Sequence, residues 1–461
     1  MKEFDLTVLG GGPGGYIAAI RAAQLGKKVA LIEKDKLGGV CLNRGCIPTK
    51  ALLKSAHSVH ELKTFKSLGI NVDLQSLDSS VAVKRANQIA SRVGKGVDFL
   101  MKKNNIAVIR GEGILTSPNS IEVTTNDGLE TITSKNIIIA TGAHYRSFPG
   151  LEYDGKRIIG AYEALKMEEL PSSIGIIGAG AIGMEFAYFW RSFGVDVHIF
   201  ELEDHLLPRE DSDCSIELER AYKKLKIKQS LGLDKVSCKN IGDNVAISVT
   251  AKGKTTEYYF DKCLIAVGMT GNINGIGLEN IGIEVASGFI KTDPFGQTNI
   301  ANIYAIGDVS GGALLAHVAS HEGVIAAEAI CGLTPHPIKP ENIPACTFCQ
   351  PQVASIGFTE HAVKENGTEY TVGKVPFRAN GKAIASNETD GFIKTIIDKE
   401  GNLLGAHLVG NNATELIHEF SLIKSQNILD QAIFDTIHAH PTLGETIAEA
   451  VMAAKGRALN L

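Results

Sequence analysis

Short apolar runs closed by glycine recur along this chain, and several of them feed directly into helical patterns. Phe4-Asp-Leu-Thr-Val-Leu9 leads into Gly10, Gly12 and Gly15, then into the Ala-rich Tyr16-Ile-Ala-Ala-Ile-Arg-Ala-Ala-Gln-Leu25. A buried strand, a tight turn and a helix lying close to that strand are predicted. Lys28-Val-Ala-Leu-Ile-Glu33 is the next predicted strand and ends on an acid 23 residues after Gly10. The arrangement returns at Ser173-Ile-Gly-Ile-Ile-Gly178, Gly180 and Gly183, followed by Met184-Glu185-Phe-Ala-Tyr-Phe-Trp190. Its second strand, Val195 to Glu201, again ends 23 residues beyond the first glycine. Ile137 to Gly142, Leu264 to Gly268 and Ile303 to Asp308 are further strands ending at glycine or Gly-Asp. From about Pro344 the pattern changes. Gly391 to Asp398 and Leu403 to Gly410 read as strands, and Ala413 to Lys424 as a helix, which predicts an α+β domain.

Composition narrows the classes. With 461 residues, the chain is long enough for about three domains. A formal charge of −5 argues against a nucleic-acid or anionic-membrane partner. No run reaches the roughly 18 apolar residues of a membrane span, and the strand beginning near the N-terminus leaves no room for a signal peptide. Eight cysteines are too few for a disulfide scaffold, and Cys214, Cys238, Cys263, Cys331, Cys346 and Cys349 show no regular framework. A reducing, cytoplasmic compartment fits this usage. Cys346 and Cys349 form a C-x-x-C with no second pair to complete a zinc site, so a structural role is expected and no metal.

Both glycine turns carry the dinucleotide fingerprint in its strand–turn–helix setting. The first glycine (Gly10, Gly178) makes the turn, the second (Gly12, Gly180) admits a pyrophosphate, and the third (Gly15, Gly183) permits helix–strand contact. Glu33 and Glu201 can accept ribose hydroxyl bonds. After Glu201 come Leu202, Glu203 and Asp204, without the arginine that a 2′-phosphate would want, so the second site should prefer NAD. The first cradle lies close to two cysteines in Gly38-Gly39-Val40-Cys41-Leu-Asn-Arg44-Gly45-Cys46-Ile-Pro-Thr-Lys50. A flavin exchanges electrons with sulfur as well as with nicotinamide, so FAD is the coherent occupant there. Asp308, at a predicted strand end, can hold ribityl hydroxyls or simply close a turn.

The cysteine spacing admits two readings. A regular helix holds residues five apart beyond disulfide range, so a Cys41–Cys46 bridge needs a bend that Gly38, Gly39 and Gly45 would permit. The alternative is two unpaired buried thiols. Near the end, Ile437-His438-Ala-His440-Pro441-Thr442-Leu-Gly444-Glu445 offers a base for thiol chemistry. A helix starting around Thr442 would carry Glu445 back toward His440 to fix its tautomer. A helix-capping histidine is the alternative. His438, His317 and His407 are expected to be structural or cofactor-proximal.

Together, Gly10-Gly-Gly-Pro-Gly-Gly-Tyr16, Cys41-Leu-Asn-x-Gly-Cys46-Ile-Pro-x-Lys50, the second fingerprint, Gly307-Asp308 and His440-Pro-Thr-Leu-x-Glu445 resemble the class I flavoprotein disulfide reductases, over nearly the whole chain. The resemblance implies an α/β protein: two Rossmann-like dinucleotide-binding domains plus a C-terminal α+β interface (dimerisation) domain. Its expected segments are 1–148 for FAD, 149–267 for NAD, 268–342 completing the FAD site and 343–461 for the interface. It also implies a redox-active Cys41–Cys46 disulfide and a His440–Glu445 pair that serves the other subunit of a homodimer. Cys41 would meet substrate and Cys46 the flavin, with Lys50 at the flavin's reactive edge and Glu185 its ion-pair partner beside the nicotinamide. FAD would be lined by Gly10, Gly12, Gly15, Glu33, Lys50, Gly113, Thr141, Gly142, Asp308, Leu314, Leu315, Ala316 and His317. NAD would be lined by Gly178, Gly180, Gly183, Glu185, Glu201, Val236 and Gly268.

The tail, Phe377-Arg-Ala-Asn-Gly-Lys-Ala with Thr389-Asp-Gly-Phe392, is of the lipoamide type. The implied activity is oxidation of protein-bound dihydrolipoamide to lipoamide with reduction of NAD+ to NADH. The implied partners are lipoyl domains and the E2 core of 2-oxo acid dehydrogenase complexes, or the glycine-cleavage lipoyl protein. Glutathione reductase is the nearest rival. Mercuric reductase is disfavoured by the lack of a C-terminal cysteine pair, and a non-catalytic flavin scaffold by the completeness of the motifs. Val40, Arg44 and Gly444 depart from the family pattern without removing a catalytic group. Arg44 would place a cation between the cysteines and lower a thiol pKa.

Overall fold

The computed structural model describes residues 2–62 and 64–461. The chain divides into two compact units, the first made of Met1–Ala51, Ser80–Ser147 and Val267–Ile338, the second of Leu52–Ser79, Phe148–Ala266 and Lys339–Leu461. Among the described residues no helix is long and apolar enough to cross a membrane.

The first unit starts with strand β1 (Lys2–Leu9), helix α1 (Pro13–Gln24) and strand β2 (Val29–Glu33). Leu6, Val8, Ala30 and Leu31 are fully buried, as befits parallel strands covered on both faces. β1 lies between β2 and Gly128–Ile139, parallel to both, and β2 is followed at the edge by Ala107–Arg110. Ile303–Ala305 pairs in parallel with the same Gly128–Ile139 strand, beyond which two antiparallel strands extend the sheet. Small residues let α1 pack tightly on the helix Ala316–Ile330. A Cβ on Gly323 would stand 2.5 Å from the Gly14 carbonyl oxygen. Helix α2 (Gly39–Arg44) and helix α3 (Cys46–Leu62) follow β2 directly.

The second unit repeats the motif. Ser173–Ile177 lies between Asp196–Phe200 and Lys262–Ile265 in a five-stranded parallel sheet. The helix Ala181–Ser192 buries Phe186, Tyr188, Phe189 and Trp190. An antiparallel three-stranded sheet, Lys235–Asn240, Val245–Ala251 and Lys254–Phe260, adjoins it. The carboxyl-terminal part is an antiparallel sheet in the order Ala345–Thr347, Gln352–Gly357, Leu403–Gly410, Phe392–Asp398, Tyr370–Pro376. Its apolar face carries Ile393, Ile397 and Leu408, packed with Ile417 and Phe420 of the helix Ala413–Ser425 and Ile447 and Val451 of the helix Glu445–Ala454. Gly373 lets the latter approach closely, since a Cβ there would lie 1.9 Å from the Ala450 carbonyl oxygen.

Candidate active site

In the first cradle, glycines do two different jobs. Gly10 takes φ 110°, and Gly15 is demanded by packing, because a Cβ on it would stand 1.9 Å from the Gly10 carbonyl oxygen. Gly12 is different. It is extended, it caps α1, and the nearest protein atom to a Cβ would be the Gly39 Cα at 3.9 Å. The side chain missing at Gly12 therefore leaves open space before first-turn amides that no side chain caps. Such amides, with the helix dipole behind them, form a seat for an anion. Glu33 borders it, accepting the Gly11 N–H at 2.7 Å and the Asp35 N–H at 2.7 Å. Burial pushes its carboxyl above the usual range, against the pull of the Gly11 N–H and Arg110.

The cysteine segment sits on this cradle. The Gly38 N–H donates to the Gly11 carbonyl at 2.8 Å. Gly39 takes φ 57°, and a Cβ on it would come 2.7 Å from the Gly12 Cα. α2 stops at Gly45, whose φ of −146° and ψ of −109° break the helix before α3 begins at Cys46. This bend brings positions five apart into contact. The Cys41 side chain is hydrogen-bonded with Cys46. That bond and burial push Cys41 well up, while Lys50 pulls it down. Cys46 opens α3, where the helix dipole favours a thiolate, and Lys50 lies one turn along the same face. The Arg44 guanidinium pairs with the Asp35 carboxylate, and Lys50 is a cation acting on the Cys41 thiol.

The remaining expected FAD residues lie in the same unit. Thr141 and Asn272 bond reciprocally: the Thr141 hydroxyl donates to the Asn272 carbonyl at 2.9 Å, and the Asn272 amide to the Thr141 carbonyl at 2.8 Å. The Gly142 carbonyl accepts the Asn272 N–H at 2.9 Å. Gly113 is needed by the core, since a Cβ would meet Leu9 Cδ1 at 2.8 Å. Asp308 lies in a 3-10 turn just after Ile303–Ala305. Burial alone raises its carboxyl, a desolvated acceptor suited to hydroxyl groups. Leu314 and Leu315 lead into the helix that Ala316 and His317 open. Glu322, in that helix, accepts the Gly307 N–H at 2.6 Å. Asn272 carries no local sequence signal, since it acts on a turn 131 residues away in the chain.

The second cradle has the same geometry. Gly178 takes φ 105°, and a Cβ on Gly183 would stand 2.2 Å from the Gly178 carbonyl oxygen. Gly180 caps the helix without a side-chain bond, and a Cβ on it would meet no protein atom within 4 Å. Glu201 accepts the Ala179 N–H at 2.6 Å and the Leu202 N–H at 2.7 Å. The Leu207 N–H donates to the Ala179 carbonyl at 2.9 Å. Glu185 is 4 % exposed and accepts the Phe348 N–H at 3.0 Å. Val236 stands opposite Val249 on the adjoining sheet. Gly268, expected in the NAD set, belongs to the first unit, where its carbonyl accepts the Arg146 N–H at 3.0 Å.

His440 Nδ1 lies 2.9 Å from Glu445 Oε1, and Glu445 Oε2 accepts the Thr442 N–H at 2.8 Å. The Thr442 N–H, then His440, hold the Glu445 carboxyl below its usual range. An ionised Glu445 accepts from Nδ1–H and leaves Nε2 with a lone pair. The helix starts at Glu445 rather than near Thr442, and a turn precedes it. Asn380 fixes this turn by donating to the Thr442 carbonyl and the Thr446 hydroxyl, each at 2.9 Å. His438 pairs with Glu419 at 2.9 Å, and His407 Nε2 is 3.0 Å from the Phe358 carbonyl oxygen. Cys349 is buried, its thiol donating to the Pro351 carbonyl.

Residues 4–323 match the family described as pyridine nucleotide-disulphide oxidoreductase, and residues 343–451 match its dimerisation domain. The chain is 46% identical to a dihydrolipoyl dehydrogenase of Zymomonas mobilis over 99% of both chains. It is 43% identical to one of Bacillus subtilis, also over 99% of both. Among solved structures, LpdA from Mycobacterium tuberculosis superposes with a TM-score of 0.90 at 27% identity, covering 98% of this chain and 99% of that one. The HOCl-induced flavoprotein disulfide reductase RclA from Escherichia coli gives 0.84 at 27% identity, over 97% and 99%.

Proposed function

Since the chain belongs to the pyridine nucleotide-disulphide oxidoreductase family, we propose that it oxidises dihydrolipoamide carried on lipoyl domains and reduces NAD+, with FAD in the first cradle and NAD in the second. The observation that carries this reading is the glycine-broken helix pair seated on the first cradle, with its two sulfurs in contact beside Lys50. The open space at Gly12 and the desolvated Asp308 suit a dinucleotide with a polyhydroxyl chain, and the acid Glu201 with Leu202, Glu203 and Asp204 after it suits a free 2′-hydroxyl.

The reaction begins with Cys41 and Cys46 as a disulfide. His440 Nε2, set by Glu445 on Nδ1, takes the proton of a substrate thiol. The resulting thiolate attacks Cys41 Sγ, the Cys41–Cys46 bond breaks, and Cys46 leaves as a thiolate favoured by Lys50 and the α3 dipole. The second substrate thiol attacks the substrate sulfur of the mixed disulfide, and Cys41 Sγ departs and takes up that thiol's proton while His440 keeps the first. Dihydrolipoamide has lost two electrons in becoming lipoamide, and the cysteine pair has gained them. Bound FAD supplies the two-electron relay from that dithiol to NAD+. The exposed His440 serves the cysteines of a second copy in a homodimer joined through the dimerisation domain. Lipoyl domains and the E2 core of a cytoplasmic 2-oxo acid dehydrogenase complex, or the glycine-cleavage lipoyl protein, are the partners.

The test compares NADH formation from dihydrolipoamide with oxidation of NADPH or NADH by glutathione disulfide, using the purified yellow protein. Rapid NADH formation supports the reading. A strong preference for glutathione disulfide with NADPH overturns it.

A further inference from the structure

Outside the cysteines and the histidine pair, the densest group of charges is buried in the second unit. Lys394 is 1 % exposed, and its ammonium contacts Asp211 Oδ1 at 2.9 Å, Asp213 Oδ2 at 2.7 Å and Glu360 Oε2 at 2.6 Å. Strand register explains the placement. Ser355 stands opposite His407, His407 opposite Lys394, and Lys394 opposite Lys374, so four neighbouring strands present one polar row on one face. The next residue along, Thr395, faces the other way and donates to the Ala450 carbonyl. The row meets the segment Glu210 to Asp213 in order. Lys394 holds Asp211 and Asp213, and Lys374 contacts Asp213 at 2.7 Å. The Glu360 N–H closes the group on Asp211 Oδ2 at 3.0 Å.

The held segment is continuous with the second cradle. Asp211 caps the helix Ser212–Lys224, the Glu210 N–H donates to the Leu207 carbonyl at 2.9 Å, and the Leu207 N–H donates to the Ala179 carbonyl. Ala179 lies between Gly178 and Gly180. A buried ammonium surrounded by carboxylates costs much desolvation and is weak evidence of stability for its own sake. Its fixed geometry has a use if a loop must be held in one register.

We propose that Lys394 is a positioning residue for dinucleotide binding: the row Ser355–His407–Lys394–Lys374 clasps Glu210–Asp213 and thereby holds the Leu207–Ala179 bond that sets the second cradle. This deepens, and rests on, the assignment of NAD to that cradle. Lys394 touches no reacting group. Its loss should weaken NAD binding and spare the cysteine chemistry.

The experiment measures two half-reactions in the flavin-loaded protein. One is the KM for NAD+ in steady state, and the other is flavin reduction by dihydrolipoamide without NAD+. Lys394→Met is expected to raise the KM for NAD+ about tenfold, with flavin reduction within about twofold of the parent. Lys394→Arg should recover most of the loss. If Lys394→Met does not accumulate as folded protein, Lys374→Met carries the test, with an expected rise of about threefold. An unchanged KM in folded Lys394→Met or Lys374→Met, or equal losses in both half-reactions, overturns the clasp. Glu201→Gln is the control for the underlying assignment. If it leaves the KM for NAD+ unchanged, the placement of NAD falls. If it raises the KM while the clasp variants do not, only the clasp falls.

Discussion

The two cradles share a backbone and differ in what holds them from outside. Each has a left-handed first glycine, an open second glycine and a third pressed on the first one's carbonyl. Each acid accepts the N–H after the first glycine, Gly11 at 2.7 Å in one and Ala179 at 2.6 Å in the other. Even the carbonyl of that residue is held alike, by the Gly38 N–H in the first unit and the Leu207 N–H in the second. The downstream segments then part company. After Gly38 the chain delivers Cys41 and Cys46, whereas after Leu207 it delivers the acids clasped by Lys394. One turn has served two purposes by changing what docks on a single carbonyl.

The sharpest break in the comparison is at the third glycine. Gly15→Val should cost about 3 kcal/mol or more and yield protein that does not retain FAD, because backbone carbonyl cannot yield to a Cβ at 1.9 Å. Gly183→Val should leave the protein yellow and lower kcat/KM for NAD+ by about a hundredfold. Absorbance at the flavin band and steady-state kinetics distinguish the two, and loss of FAD in both would erase the distinction.

A smaller effect is expected at the docking segments. Gly39→Val pushes a side chain at the Gly12 Cα, 2.7 Å away for the Cβ. Dihydrolipoamide turnover should fall at least about tenfold with NADH binding intact. A parallel loss of NADH affinity would show that the cysteine segment and the second cradle are not independent.

Smaller again is a pH effect confined to the second cradle's segment. Glu210 Oε2 is buried without a hydrogen-bond partner, and burial pushes this carboxyl up to about 7 from 4.5. The folded chain keeps the proton that the unfolded chain releases. Stability from this group is full below about pH 4.5 and is lost as pH rises through about 7. Glu210→Gln should therefore gain on the parent between pH 5 and pH 8, by at most about 3 kcal/mol in denaturant unfolding. A pH-independent difference would remove the group from the account. The smallest change is at Arg44, whose charge is paired with Asp35. Thiolate titration of Arg44→Val should match the parent, and a raised thiol pKa would restore the direct effect on the cysteines.

Local pattern made both cradles legible. Apolar strands, glycine spacing and terminal acids are interactions within about thirty residues, and the chain's own stereochemistry enforces them. Gly15 and Gly183 are readable because only glycine fits against a carbonyl that the same motif supplies. The bend at Gly45 was legible as what a Cys41–Cys46 bridge needs, two unpaired thiols being the other reading. Other features were less so. The helix at the end begins at Glu445, after a turn tied by Asn380, a residue some sixty positions away.

The sequence by itself determined the two nucleotide turns, because each closes over a short stretch of chain, and left two readings each for the cysteine pair and for His440. Only the tertiary structure decided where the buried polar groups find distant partners. Asn272 turns to Thr141, and the charge of Lys394 to a segment some 180 residues away. A charge in a sequence specifies no partner. Burial selects one, since an ion removed from water must find its counter-charge in whatever element the fold brings against it.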